Sequence, residues 1–153
     1  MPEQEYWESL FNVELILDEM EINQDINSLV EFGCGYGTFA LPSAERIRGN
    51  IIAIDIEDEM LNIASSKVAS KNNITFVNRD FIANSTRIPD NSVDYVMLFN
   101  ILHYIKPLEL LDESYRILKV GGKASLIHWN YNPNTLRDPS MDIRPKPIEL
   151  NYL

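Results

Sequence analysis

A glycine-rich turn and a downstream aspartate are the residues of this chain that could do chemistry together. The segment 31–37, E-F-G-C-G-Y-G, directly follows the apolar pair Leu29 and Val30. Glycines at such a turn let the backbone approach a ligand closely. The next apolar run, 51–54, ends at Asp55, and an acidic side chain at a strand tip can accept both hydroxyls of a ribose. The pattern predicts a pocket for a nucleoside.

The spacing of the glycines separates two classes of nucleoside cofactor. A dinucleotide fingerprint, G-x-G-x-x-G, has a third glycine where the helix packs below the pyrophosphate. Here Gly33, Gly35 and Gly37 alternate, and Thr38 occupies the third position of that fingerprint. The spacing therefore disfavours NAD. Glycines also occur in tight strand-to-helix turns for backbone reasons alone, and that reading stays open at this point.

Three further segments carry polar residues at the expected strand ends. An apolar run at 74–77 leads into Asp80 and Phe81, and a longer run at 93–99 leads into Asn100. A helical pattern then ends in a glycine pair within 114–123. Alternating strands and helices predict right-handed crossovers and a parallel sheet, with the polar residues gathered at its carboxyl edge.

These motifs together resemble the class I S-adenosylmethionine-dependent methyltransferases, in particular their type 11-like domains. The segment 31–37 is similar to the family's first motif, 88–96 to its P-D-x-S-F-D-x-V entry into strand four, and 116–122 to its R-x-L-K-P-G-G turn. Val120 replaces the usual proline of that turn. The resemblance covers about 29–129 and implies an α/β fold: a Rossmann-like, doubly wound sheet of about five parallel strands in the order 3-2-1-4-5.

The resemblance also implies S-adenosylmethionine as cofactor, S-adenosylhomocysteine as product, and a role for each matching residue. Glu31 is expected at the methionyl amino end, Asp55 at the ribose, and Asp80 at the adenine. Asp80 could equally serve as a helix cap, and Met60 as a core residue. The implied cofactor-binding residues are Glu31, Gly33, Cys34, Gly35, Gly37, Asp55, Ile56, Met60, Asp80, Phe81 and Asn100.

Catalytic residues are harder to name, because methyl transfer requires alignment rather than a protein nucleophile. The two histidines, His103 after strand four and His128 near the end of strand five, lie toward the predicted active edge. His103 is the weak candidate for a general base, with a packing role as its alternative. Cys34 is the one cysteine, and a small side chain that fits the turn is favoured over a nucleophile. No His or Cys spacing indicates a metal site.

Composition limits the class of partner. The formal net charge is −10 at pH 7 and the pI is about 4.6, so nucleic acid is an unlikely partner. There is no apolar run long enough for a membrane span and no basic, apolar start typical of a signal peptide. We therefore expect a cytoplasmic protein that does not bind a membrane.

The chain is predicted to form a single methyltransferase-like domain over 1–153. It comprises an N-terminal helical segment at 1–27, a cofactor-binding core at 28–129 and a Pro-rich tail at 130–153. The tail is too proline-rich for the usual hairpin of strands six and seven, so the chain is either a minimal member or a truncated one. Its apolar residues could pack on the domain or on a second copy, and a homodimer is possible.

The elements expected inside these segments are helices over 5–21, 38–48, 57–71 and 107–119, and strands over 28–32, 51–55, 74–77, 93–99 and 123–129. The favoured function is methyl transfer from S-adenosylmethionine to a small molecule. A noncatalytic S-adenosylmethionine-binding or regulatory module is the first alternative, and an NAD(P)-dependent oxidoreductase is the second.

Overall fold

The structure, a computed structural model, describes residues 3–68, 72–103, 107–129, 131–132, 134, 140–141 and 144. Within them, helices alternate with strands along most of the chain. The helices are α1 (Gln4–Glu8), α2 (Val13–Glu19), α3 (Ala40–Arg46), α4 (Asp58–Ser66), α5 (Phe81–Asn84) and α6 (Pro107–Ile117). The strands are β1 (Ser28–Phe32), β2 (Asn50–Asp55), β3 (Ile74–Asn78), β4 (Val93–Phe99) and β5 (Leu118–Ile127).

The five strands form one parallel sheet in the order β3-β2-β1-β4-β5. This confirms the predicted α/β fold and strand order. The strand order reverses between β1 and β4, where neighbouring crossovers leave on opposite faces. In doubly wound sheets, ligands bind at such a point, beyond the carboxyl ends of the strands. Phe32, Asp55 and Phe99 end their strands at that edge.

Both faces of the sheet are buried at the three central strands, β1, β2 and β4, which explains why these strands are nearly continuous apolar runs. Leu29 and Met97 belong to a core on one face, whereas Val30 and Leu98 belong to a core on the other. Alternate residues of a strand point to opposite faces, so each central strand contributes to both cores. No helix in the described part of the chain has the length and apolar character needed to cross a bilayer.

Several predicted boundaries are wrong: the helix expected over 57–71 ends at Ser66, and the strand expected over 123–129 begins at Leu118. The single helix expected over 5–21 is two helices, because the Asn12 side chain accepts a hydrogen bond from the amide of Leu15 (3.2 Å) and starts α2 afresh. The glycine pair at 121–122 does not end α6. That helix ends at Ile117, and β5 continues through both glycines. The pairing of β5 with β4 is irregular between Val93 and Tyr95 of β4.

A carboxylate on α6 fastens the loop that leads from α5 to β4. One oxygen of Glu113 accepts hydrogen bonds from the amide and hydroxyl of Thr86 (2.7 and 2.6 Å) and from Ser85 Oγ (2.9 Å). Arg116 donates to both Glu113 oxygens and also pairs with Asp90. The Arg116 guanidinium is the main cause that lowers the pKa of Glu113 to about 2.

Replacing Glu113 with glutamine should lower the free energy of unfolding by about 2 kcal/mol at pH 7. The pKa of the folded state is depressed, so this stabilisation is fully present above the ordinary value of 4.5 and is lost as the pH falls toward 2. Urea denaturation at pH 7 and pH 3 measures the difference. The matched control is Asp112→Asn, at an exposed position of the same helix. An equal loss at both pH values would contradict the prediction.

Candidate active site

The glycine turn has backbone conformations that residues with a side chain rarely adopt. Gly33, Gly35 and Gly37 have φ angles of +72°, +50° and +76°, in or near the left-handed region that glycine adopts without steric cost. A Cβ at position 33 would clash with Cδ1 of Ile101, and one at position 37 would lie 3.0 Å from Cδ1 of Leu41. The bare backbone therefore lets the loop after β4 pack directly against the turn.

Asp55 holds this turn in place from the tip of β2. Its Oδ2 accepts a hydrogen bond from the amide of Gly35 (2.8 Å), and its Oδ1 accepts one from the amide of Glu57 (3.0 Å). The carbonyl oxygen of Ile54 accepts hydrogen bonds from the amides of Gly33 and Cys34 (2.8 and 3.0 Å). Asp55 is buried, and each carboxylate oxygen still has a lone pair for a further donor.

Glu31 places a second carboxyl group beside Asp55. It is 2% exposed and accepts a hydrogen bond from the amide of Ala40, whereas its Oε2 is buried without a hydrogen-bond partner in the described part of the chain. Desolvation, followed by repulsion from the Asp55 carboxylate, raises the pKa of Glu31 well above its ordinary value. A cationic donor placed against Oε2 would remove both costs.

Cys34 lies inside the turn but does not have the properties of a nucleophile. It is a free, buried cysteine, and burial raises the pKa of its thiol, as do the Glu31 and Asp55 carboxylates. The thiolate is the reactive form, and here it is disfavoured. The preference for a small side chain that fits the turn over a nucleophile is consistent with this environment.

Cys34 should react with Ellman's reagent at pH 8 at least about 100-fold more slowly than a free cysteine, because the thiol is buried and protonated. The absorbance at 412 nm follows the reaction. The chain has one cysteine, so the signal reports this residue alone. Complete reaction in urea is the control. A rate equal to that of free cysteine in the folded chain would contradict the prediction.

The predicted adenine-binding residues lie at the tip of β3. Oδ1 of Asp80 accepts hydrogen bonds from the amides of Ile82 and Ala83 (3.2 and 2.9 Å). Asp80 is therefore the N-cap of α5, the alternative role that the sequence left open. The ring of Phe81 is buried and stacks on Phe32 with centroids 4.7 Å apart.

Two further predicted residues lie on either side of the start of α4. Met60 is buried, with 7% of its surface exposed. Ile56 is 57% exposed, directly after Asp55. The side chain of Met60 is thus within the protein, whereas that of Ile56 reaches solvent beside the Asp55 carboxylate.

Asn100 and the two histidines form the other side of the carboxyl edge. Asn100 has a φ of +54°, donates its amide to the carbonyl of Ile127 (2.7 Å), and has a buried Nδ2 without a hydrogen-bond partner among the described residues. The rings of His103 and His128 lie 6.0 Å apart, centroid to centroid. Desolvation is the largest cause that lowers the pKa of both imidazoles. The histidines, distant in sequence, are therefore neighbours.

Sequence reasoning missed a cation that ties the N-terminal helix to the glycine turn. Lys67 Nζ donates to the carbonyl of Tyr36 (3.0 Å) and to Glu8 of α1 (3.2 Å). Its ammonium also lies 5.8 Å from the centroid of the Tyr36 ring. No local sequence signal marks Lys67, because its partners are distant along the chain.

An aromatic row runs from α1 to the tip of β4. The ring of Phe11 packs edge-on between Trp7 and Phe39, and Phe39 continues to Phe99, with centroid distances of 4.8–5.2 Å. The residues before β1 therefore pack against the edge that carries the candidate site. Tyr104 follows strand four in the sequence and is an aromatic residue that could line an acceptor pocket, but it lies outside the described residues. The described residues contain no group of His, Cys, Asp and Glu suited to a metal.

Comparison with known proteins identifies the family. A family model described as a methyltransferase domain matches residues 29–122, more than half of the chain. The chain belongs to the class I S-adenosylmethionine-dependent methyltransferases. The match covers the glycine turn, Asp55, Asp80 and Asn100, and it ends within β5 of this methyltransferase domain.

Relatives and solved structures agree with this assignment. The methyltransferase is 32% identical over 126 residues to an uncharacterized methyltransferase-like protein of Schizosaccharomyces pombe, with 80% of this chain and 43% of that protein covered. It is 33% identical over 110 residues to the demethylmenaquinone methyltransferase of Staphylococcus aureus, with 70% and 44% covered. The chain spans less than half the length of these curated relatives.

The fold matches that of an S-adenosylmethionine-dependent methyltransferase from Aquifex aeolicus with a TM-score of 0.81. Sequence identity is 24%, and the match covers 98% of this chain and 80% of that one. A geranyl diphosphate methyltransferase solved in complex with S-adenosylmethionine has a TM-score of 0.66 at 16% identity, with 74% and 46% covered. These likenesses support the same sheet and crossover arrangement.

Proposed function

We propose that this domain binds S-adenosylmethionine at the glycine turn and transfers its methyl group to a small-molecule acceptor. The observation that carries the proposal is the unpartnered, buried Oε2 of Glu31 beside the glycine backbone. A buried carboxyl without a cationic partner is costly, and the α-ammonium of the methionyl group is a cation of the right charge. Family membership supplies the identity of the cofactor.

The other predicted site residues fit the remaining parts of the same ligand. The free lone pairs of Asp55 can accept the ribose hydroxyls while its existing bonds hold the turn. Asp80 and the amide of Phe81 are proposed at the adenine. Asn100 is proposed to bound the methionyl side, where its unpartnered Nδ2 can donate to a carboxylate. Cys34, Ile56 and Met60 are proposed as surrounding contacts.

When bound, S-adenosylmethionine supplies an electrophilic methyl group on a sulfonium, whose charge disappears during transfer. This chain contributes mainly alignment and exclusion of water. The glycine turn and Asp55 fix the donor side, and the loop after β4 borders it through the contact between Gly33 and Ile101. His103, four residues after β4, is the base candidate that the sequence suggested.

The acceptor is proposed to be small, because the chain is acidic and its charge disfavours nucleic acid. Relatives that are 30–33% identical are named demethylmenaquinone methyltransferases, so a reduced quinone, a small molecule with phenol-type hydroxyls, is the first acceptor class to test. The match covers less than half of each of these relatives, so the acceptor stays a proposal. A homodimer, a single domain over 1–153 and a cytoplasmic location also stay predictions.

Calorimetric titration with S-adenosylmethionine, S-adenosylhomocysteine and NAD tests the donor side. We expect dissociation constants of order 1–100 μM for both adenosyl ligands and no heat with NAD, because Thr38 replaces the dinucleotide glycine. A folded chain that binds neither adenosyl ligand would contradict the proposed cofactor. Binding of both without formation of S-adenosylhomocysteine from any acceptor would favour the noncatalytic alternative.

A further inference from the structure

A histidine just after β5 has a tautomer that a backbone carbonyl favours. His128 Nδ1 lies 3.3 Å from the carbonyl oxygen of Trp129. A carbonyl only accepts hydrogen bonds, so Nδ1 carries the proton in the neutral ring. Nε2 of His128 is then the unprotonated, basic nitrogen. It is buried and has no hydrogen-bond partner among the described residues.

The position of His128 connects it with the donor site. The ladder of β4 and β5 pairs Phe99 with Ile127, and the carbonyl of Ile127 accepts the amide of Asn100. His128 therefore lies level with Asn100 at the carboxyl edge. The loop that continues to His103 packs Ile101 against Gly33, which brings this edge beside the glycine turn.

The surroundings keep the His128 imidazole neutral. The described charged or titratable groups that act on it are His103, whose ring is 6.0 Å away centroid to centroid, and Arg144, which is 4% exposed. Desolvation first, and then these two groups, lower the pKa of His128, and the Trp129 carbonyl opposes them. Among the described contacts, His103 has no hydrogen bond that would fix which ring nitrogen carries the proton. Its side chain is exposed.

We propose that Nε2 of His128, rather than His103, accepts a proton from the methyl acceptor, and that the acceptor carries an ionisable hydroxyl of the phenol or enol type. The inference rests on the proposed function. The hydroxyl proton moves to Nε2, and an oxygen lone pair forms the new O–CH₃ bond. The S–CH₃ bond breaks, and its electron pair stays on sulfur, so the neutral thioether leaves. An amine acceptor would not need this base.

Two variants of His128 separate a base from a positioning group. His128→Asn keeps a polar atom near the Nδ1 position, and His128→Gln keeps one near the Nε2 position but cannot accept a proton at neutral pH. If His128 only positions the acceptor, His128→Gln should retain methyl transfer. If His128 is the base, both variants should lose methyl transfer. We expect both variants to bind S-adenosylhomocysteine within about threefold of the parent chain and to lose at least about 100-fold in methyl transfer. His103→Asn should lose less than about tenfold.

Probes of matched shape test the acceptor class. Methyl transfer from labelled S-adenosylmethionine is measured with 4-ethylphenol and with 4-ethylaniline between pH 5 and pH 9. We expect the phenol to be methylated in preference to the aniline. The rate with the phenol should rise with pH through the pKa of His128, which lies below its ordinary value, and then level off. Both His128 variants should lack this rise.

A spectroscopic measurement tests the tautomer without turnover. Long-range ¹H–¹⁵N spectra of the full chain with S-adenosylhomocysteine should show His128 neutral with its proton on Nδ1 at pH 7. Adding 4-ethylphenol should shift the Nε2 signal. A proton on Nε2, an unshifted signal, preferential methylation of the aniline, or no methylation of the phenol would each overturn the inference. Failure to bind S-adenosylhomocysteine would instead mark failure of the proposed function.

Discussion

Asp55→Ala should weaken the binding of S-adenosylhomocysteine by at least about 100-fold, a loss of roughly 3 kcal/mol. The substitution removes the proposed acceptor of the ribose hydroxyls and, at the same time, the acceptor of the amides of Gly35 and Glu57. The Gly35 amide of the glycine turn and the Glu57 amide before α4 then both lack their present partner. Calorimetric titration at pH 7.5 measures the affinity, and circular dichroism checks that the fold is retained.

Asp55→Asn separates the two contributions of this side chain. The oxygen of the asparagine side chain can still accept a hydrogen bond from one of the two backbone amides. Its NH₂ group is a donor and cannot accept the hydrogen bond from the other amide. We expect an intermediate loss of affinity. Asp80→Ala is the comparison at the adenine side, where the loss should be smaller because the carboxylate is partly exposed. Binding by Asp55→Ala within threefold of the parent chain would show that the residue holds neither the ribose nor the turn.

Glu31→Gln should stabilise the ligand-free chain above neutral pH while it weakens S-adenosylmethionine binding by about 10- to 100-fold. Burial and the Asp55 carboxylate raise the pKa of Glu31, so the folded state holds this proton more tightly than the unfolded state. The resulting stabilisation is fully present below the ordinary value of 4.5 and is lost as the pH rises through the raised pKa. Glutamine stays neutral throughout and retains an acceptor for the amide of Ala40.

Denaturant unfolding between pH 5 and pH 9 measures this effect, with a slope of up to about 1.4 kcal/mol per pH unit for one proton. The control is Glu19→Gln, at an exposed position of α2. The difference in stability between the parent chain and Glu31→Gln should grow with pH. A Glu31→Gln variant that is less stable than the parent at pH 8, or that binds S-adenosylmethionine equally well, would refute the role given to this carboxyl.

The fold could be predicted from the sequence because its signals are local. Each central strand is a short apolar run bounded by polar residues, and the glycine triplet and Asp55 mark two adjacent strand tips. Two of the boundaries that failed have different causes: one depends on a strand pairing that is distant in sequence, and the other depends on a local side-chain cap. Gly121 and Gly122 resemble a helix end, but pairing with β4 places them inside β5. Asn12 restarts a helix that the apolar periodicity alone would continue.

The residues proposed for the donor side have clearer signals in the sequence than the residues proposed for the acceptor side. Glu31 and the glycines occupy one segment, whose spacing is informative by itself. The neighbouring positions of His103 and His128 come from the pairing of β4 with β5, and the tautomer of His128 comes from one carbonyl. Neither the proximity of the two histidines nor this tautomer can be predicted from the sequence alone. Lys67 is a similar case, since its contacts with Tyr36 and Glu8 exist only in the folded chain.

The contact between Gly33 and Ile101 has a thermodynamic consequence for the two substrates. It makes the glycine turn and the loop after β4 one packed unit, so a ligand that orders either of them changes the free energy of ordering the other. Such coupling is reciprocal. The factor by which the donor raises the affinity for the acceptor must equal the factor by which the acceptor raises the affinity for the donor, and truncating Ile101 to alanine should bring both factors toward one.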